Sequence, residues 1–171
     1  KQGAYGKGDA SDSQNPLWLR DSATELFKNG DYHSAINTYT NAYTKNNDLI
    51  ECVANRALCY LYLFDFQGCI DDCNRVINFF CSLTEEEAKQ KYLKMRNKAM
   101  VRKGISLSWA GRFDESKELF EGLIEDKTQV NQEEREVVQD CLNILQKRMD
   151  LTLKKKQADI ELSNANITAA I

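Results

Sequence analysis

Apolar residues recur along this chain at helical spacing and are interrupted by short polar turns. Asn15-Pro16 marks the first start. Asn as N-cap and Pro at the first helical position predict a helix running to about Asn29, where Gly30 supplies a left-handed cap. A second helix is predicted over roughly 32–45, with Ala35, Tyr39 and Ala42 on its packing face. Helices near 49–62 and 66–80 follow, carrying Leu58, Leu61, Ile70 and Val76 at helical intervals. Thr84, with Glu87 three residues on, has the form of a capping box, so a long helix is predicted from about 85 to 109. Its partner lies at about 113–125, with Leu119, Phe120, Leu123 and Ile124. From about Gln132, the residues Val137, Val138, Cys141, Leu142, Leu145 and Met149 describe a seventh amphipathic helix. The predicted class is all-α.

The turns between these helices repeat. Gly30-Asp31-Tyr32 returns 34 residues later as Phe64-Asp65-Phe66, and again as Gly111-Arg112-Phe113. A small residue precedes each turn (Ala23, Ala57, Gly104) and another follows it (Ala35, Cys69, Ser116). A period of 34 built from two helices and a tight turn is the signature of the tetratricopeptide repeat, a helix-turn-helix solenoid. Phe66 and Phe113 are 47 residues apart, so 13 extra residues precede the third turn, and the third A-helix is predicted to be unusually long. The seventh helix is expected as a capping helix, because a repeat stack leaves an apolar face open at its end. The expected organisation is a flexible linker over 1–14, a three-repeat domain over 15–150, and an extension of the last helix with a tail over 151–171.

Composition narrows the chemistry. Hydrophobic residues make up 42% of 171 positions, enough to bury a core, yet no run of 18 apolar residues exists to cross a membrane. A formal net charge of −3 offers no basic footprint for nucleic acid. The six cysteines sit largely where repeats bury small residues, and are read as reduced core thiols of a cytoplasmic protein. Cys69 and Cys73 share a helical face as metal ligands might. With His33 as the only histidine and no CxxC, however, a four-ligand zinc set is missing, and no metal or cofactor is expected. There is no nucleophile–base pair and no Gly-rich phosphate loop, so no catalytic residue is proposed and the chain is read as non-enzymatic.

The A-helices of such a stack line one concave face. In register they bring Arg20 and Thr24 from the first repeat, Asn55 from the second, and Lys98 and Arg102 from the third. Arg20/Thr24 and Lys98/Arg102 are both i,i+4 pairs, each sharing one helix face. Three cations and two polar groups suit an extended anionic ligand, such as a peptide ending in two neighbouring carboxylates. These positions, with Asn55-Arg56-Ala57 and the stretch Lys98 to Gly104, resemble the two-carboxylate clamp of co-chaperone tetratricopeptide domains. Those domains bind the acidic C-terminal tails of cytosolic heat-shock chaperones. The departure is Thr24, where that family carries Asn.

A narrower resemblance covers about residues 15–150. Asn15-Pro16-Leu17-Trp18-Leu19-Arg20-Asp21 and Ala99-Met100-Val101-Arg102-Lys103-Gly104 are similar to the C-terminal repeat domain of the dynein axonemal assembly factor four family. That resemblance implies an adaptor for chaperone-dependent preassembly of ciliary dynein in the cytoplasm, with dynein-assembly or other clients as further partners. The alternative is a structural scaffold subunit of a ciliary or other large complex, whose groove binds a partner helix.

Overall fold

The computed structural model describes the backbone of residues 15–169 and the side chains of residues 15–163; the expected linker over 1–14 lies outside the described residues. Among them are seven helices and no strand: α1 (Pro16–Lys28), α2 (Tyr32–Lys45), α3 (Ile50–Tyr62), α4 (Phe66–Ser82), α5 (Glu86–Trp109), α6 (Phe113–Glu125) and α7 (Gln132–Ala169). The expected all-α class is found, and α5, at 24 residues against 13 for α1 and α3, is the long third A-helix. The chain divides into two compact units, one ending at Ala110 and the other beginning at Gly111.

In the first unit each helix start has a local cause. Asn15 Oδ1 accepts from Leu17 N at 2.9 Å, with Pro16 behind it in the first turn. Asp31 and Asp65 cap α2 and α4 in the same way, through Ser34 N at 3.1 Å and Gly68 N at 2.9 Å. The helix ends are equally specified. After α1, Gly30 N bonds to Phe27 O and Asp31 N to Leu26 O, with Gly30 at φ +81. The same two bonds recur after α3, but the left-handed residue there is Phe64, at φ 59.

One expectation is corrected. Thr84 does not cap α5: the N-cap is Glu85, it makes no side-chain cap bond, and the first turn instead carries Glu86 and Glu87. The helix starts one residue later than a Thr84 cap requires, and its acidic first turn offsets the unpaired N–H groups electrostatically.

Small residues set the close packing. Ala23, Ala35, Ala42, Cys52 and Cys59 join Leu19 and Tyr39 in one buried cluster. Ala54, Ala57, Cys69, Cys73 and Ala99 join Ile50, Val53 and Val76 in a second. Burial pushes the thiols of Cys52 and Cys59 up to about 11, so they stay protonated and behave as small apolar groups. Of the six cysteines, Cys81 alone is exposed, and all are free thiols. Arg56 ties three helices together: its Nε and Nη2 grip both oxygens of Asp72 at 2.7 Å, and its Nη1 donates to Thr40 Oγ1 at 2.7 Å. Along the turns, Tyr32 stacks on Tyr62 (5.0 Å between ring centroids) and Phe66 on Trp109 (6.2 Å).

In the second unit α6 buries Ser116, Phe120 and Leu123 and packs against α7, on which Val138 and Leu145 are buried. Beyond about Met149, α7 runs on with Leu151, Leu153, Ile160 and Leu162 exposed.

Candidate functional site

The first A-helix, α1, lies against α3, and α3 lies against α5. Each of the five residues singled out from the sequence stands on one of these three helices, and bonds between helices show how they are set.

Arg20 and Thr24 are one turn apart on α1 and meet different neighbours. Arg20 donates from Nε to Asp21 Oδ1 at 2.8 Å, and its Nη1 lies 3.5 Å from Glu51 Oε1 on α3. The hydrogen bond to Asp21 raises the Arg20 pKa further. Thr24 Oγ1 donates to Arg20 O at 3.0 Å. Its single proton is then used, so the Tyr39 hydroxyl, also 3.0 Å away, donates to Thr24 Oγ1. Thr24 is therefore turned toward α2 rather than standing as a free donor.

Asn55 is half-buried on α3. Burial raises the Tyr39 pKa, and the polar contacts from Thr24 and Asn55 partly offset that rise. Tyr39 thus ties Thr24 of the first A-helix to α2.

On α5 the two cations differ. Lys98 is exposed and forms no ion pair among the described residues. Arg102, one turn later, is half-buried, and its Nη1 donates to Ala54 O at 2.7 Å. Burial lowers the Arg102 pKa. Arg102 takes the second lone pair of a helical carbonyl, next in sequence to Asn55. That bond pins the third A-helix to the second.

The site consequently holds one exposed cation, one half-buried cation fixed to backbone, and one cation already facing carboxylates. Sequence reasoning missed Tyr39 as a polar group and Glu51 as a member of the face. Glu51 was accessible to it: Glu51 and Asn55 are i,i+4 on one helix and must share a side. Among the described residues no group of three His, Cys, Asp or Glu side chains is placed to hold a metal ion, and no helix is long and apolar enough to cross a membrane.

No family model matches the chain. Human sperm-associated antigen 1 is 34% identical over 78 residues, which is 41% of this chain and 8% of that protein. The Arabidopsis thaliana Hsp70-Hsp90 organizing protein 1 is 32% identical over 82 residues, 48% of this chain and 13% of that protein. The chain therefore corresponds to a small part of each of these relatives. Among solved structures, the first TPR of Spaghetti (RPAP3), bound to the HSP90 peptide SRMEEVD, superposes with a TM-score of 0.58 at 24% identity. The match covers 84% of this chain and 99% of that one. The likeness establishes the tetratricopeptide-repeat fold.

Proposed function

We propose that the face formed by α1, α3 and α5 receives the acidic C-terminal tail of a heat-shock chaperone, and that the chain is a non-enzymatic adaptor. The observation that carries this reading is the bond from Arg102 Nη1 to Ala54 O at 2.7 Å, which sets the basic pair of α5 beside Asn55. Arg20, Thr24, Asn55, Lys98 and Arg102 are the residues assigned to the clamp. Lys98 is its most available cation, and Asn55 offers an amide to a terminal carboxylate. The superposed Spaghetti domain, which holds an HSP90 peptide, supports the same ligand class for this groove.

Titration with the peptide SRMEEVD, and with the same peptide amidated at its C-terminus, tests the reading. The free acid should bind and the amide should bind far more weakly. Lys98→Ala should weaken binding by about tenfold without moving the thermal midpoint, since a charged hydrogen bond contributes about 1.5–3 kcal/mol. Absence of binding at millimolar peptide would end the proposal. Arg102→Ala is a poorer probe, because it also removes the link to α3.

The finer role proposed for the whole protein is cytoplasmic preassembly of axonemal dynein, with dynein-assembly clients as partners and an association with cilia. The similarity of residues 15–21 and 99–104 to the dynein assembly factor four family supports it. Ciliated cells depleted of the protein should then build axonemes lacking dynein arms; intact arms would exclude the role.

A further inference from the structure

Arg20, the first cation of the groove, is already engaged by the chain's own carboxylates. Nε and Nη2 face Asp21 Oδ1 at 2.8 and 2.7 Å, and Nη1 faces Glu51 Oε1 at 3.5 Å. The two acids differ in kind. Asp21 is the next residue on the same helix, so it travels with Arg20 and constrains nothing beyond α1. Glu51 reaches across from α3, one turn before Asn55, so its carboxylate lies on the face where an anionic ligand would sit. Both side chains of this cross-helix pair are partly open to solvent, at 31% and 37% exposure, so the pair can be broken without opening the core.

We infer that Glu51 is a built-in competitor for Arg20, and that it limits the affinity of the groove for carboxylate ligands. The inference rests on the tail-binding reading above. A tail carboxylate arriving at Arg20 exchanges with Glu51 rather than adding to an unused cation. The net gain in ion pairing at that position is close to nil, and the displaced Glu51 remains nearby as a like charge. Affinity is then left to Lys98, Asn55 and Arg102, which makes recognition depend on the second carboxylate of the tail rather than on any single anion. The rival explanation for the pair is a staple between α1 and α3, and it predicts the opposite behaviour for the same variant.

The test is a calorimetric titration of SRMEEVD into the wild type, Glu51→Gln, Arg20→Ala and the double variant, each at two salt concentrations. Glu51→Gln should bind about three- to tenfold more tightly, the range expected when a partly exposed ion pair and a like-charge contact are removed together. Its affinity should also fall more steeply with salt than the wild type's, because one more ion pair is then formed on binding. The gain should shrink in the Arg20→Ala background, where little is left to compete for. A staple would instead show as a lower thermal midpoint with affinity unchanged or reduced, and that result overturns the inference. If the wild type binds and Glu51→Gln binds no more tightly, the inference alone falls. If neither binds at millimolar peptide, the tail-binding reading falls with it. If only the variant binds, the competition by Glu51 stands and the tail-binding reading of the native chain falls.

Discussion

At the scale of single residues, Phe64 is the position where local preference and fold disagree. The first and third turns place glycine in the left-handed region, at φ +81 for Gly30 and +79 for Gly111, whereas the second places phenylalanine there at φ 59. An L-residue with a Cβ costs about 1–2 kcal/mol in that conformation. Phe64 recovers little by burial, since it is 72% exposed and its ring meets Phe66 edge-on at 6.2 Å. Phe64→Gly should therefore raise stability by about 0.5–1 kcal/mol, the left-handed strain relieved less the extra unfolded-state freedom of glycine. A higher urea midpoint with an unchanged m-value would be the expected record; a lower midpoint would mean the ring contributes more than its exposure indicates. At this same scale the clamp positions were legible, because i,i+4 spacing alone puts Arg20 with Thr24 and Lys98 with Arg102. What each side chain touches was not. Thr24 meets Tyr39 and Arg20 meets Glu51 across helix boundaries, and the side-chain direction that decides such meetings depends on how two helices cross.

At the scale of elements, the repeat period was legible because turn chemistry recurs: Asp31 and Asp65 are both N-caps that accept a backbone N–H three residues on. The start of α5 was misplaced by one residue. Thr84 and Glu85 are both plausible last non-helical positions, and the choice falls to chain geometry that the capping pattern does not encode. The brace at Arg56 was equally hidden, since Asp72 and Thr40 each lie 16 residues away on neighbouring helices. This brace is buried, with side-chain exposure of 9% for Arg56 and 4% for Asp72, and the bidentate bond to Asp72 raises the Arg56 pKa further. Asp72→Ala leaves a guanidinium in the core without its carboxylate and should cost about 3–5 kcal/mol. Replacing both partners together, as Arg56→Met with Asp72→Leu, should cost much less, since apolar groups of similar volume leave no charge unpaired. Urea unfolding followed by far-ultraviolet circular dichroism would compare them. A double variant as unstable as the single one would show that the brace holds the helices in place by more than pairing its own charge.

At the scale of the whole molecule, stability should be concentrated before residue 151. Along the last part of α7, Leu151, Leu153, Ile160 and Leu162 are between 54% and 66% exposed, so they remove little apolar area from water. A chain ending at Asp150 should keep its thermal midpoint to within about 2 °C, less than the shift expected from 1 kcal/mol in a domain of this size. A larger fall would show that these residues are covered in solution. The same result would bear on the proposed boundary between a repeat domain over 15–150 and an extension over 151–171.

The division at Ala110 has an optical consequence. The chain holds two tryptophans, Trp18 and Trp109, and both lie in the unit that ends at Ala110. Tyrosine is confined to the same side, the last being Tyr92, so the residues from Gly111 onward contribute neither indole nor phenol to the near-ultraviolet spectrum. Intrinsic emission excited at the indole band therefore comes from chromophores of the first unit alone, while the amide signal of the seven helices weighs both. An unfolding curve recorded by emission is carried by indoles placed before Gly111, so an offset from the amide curve would show that the helices do not all melt together with those two side chains.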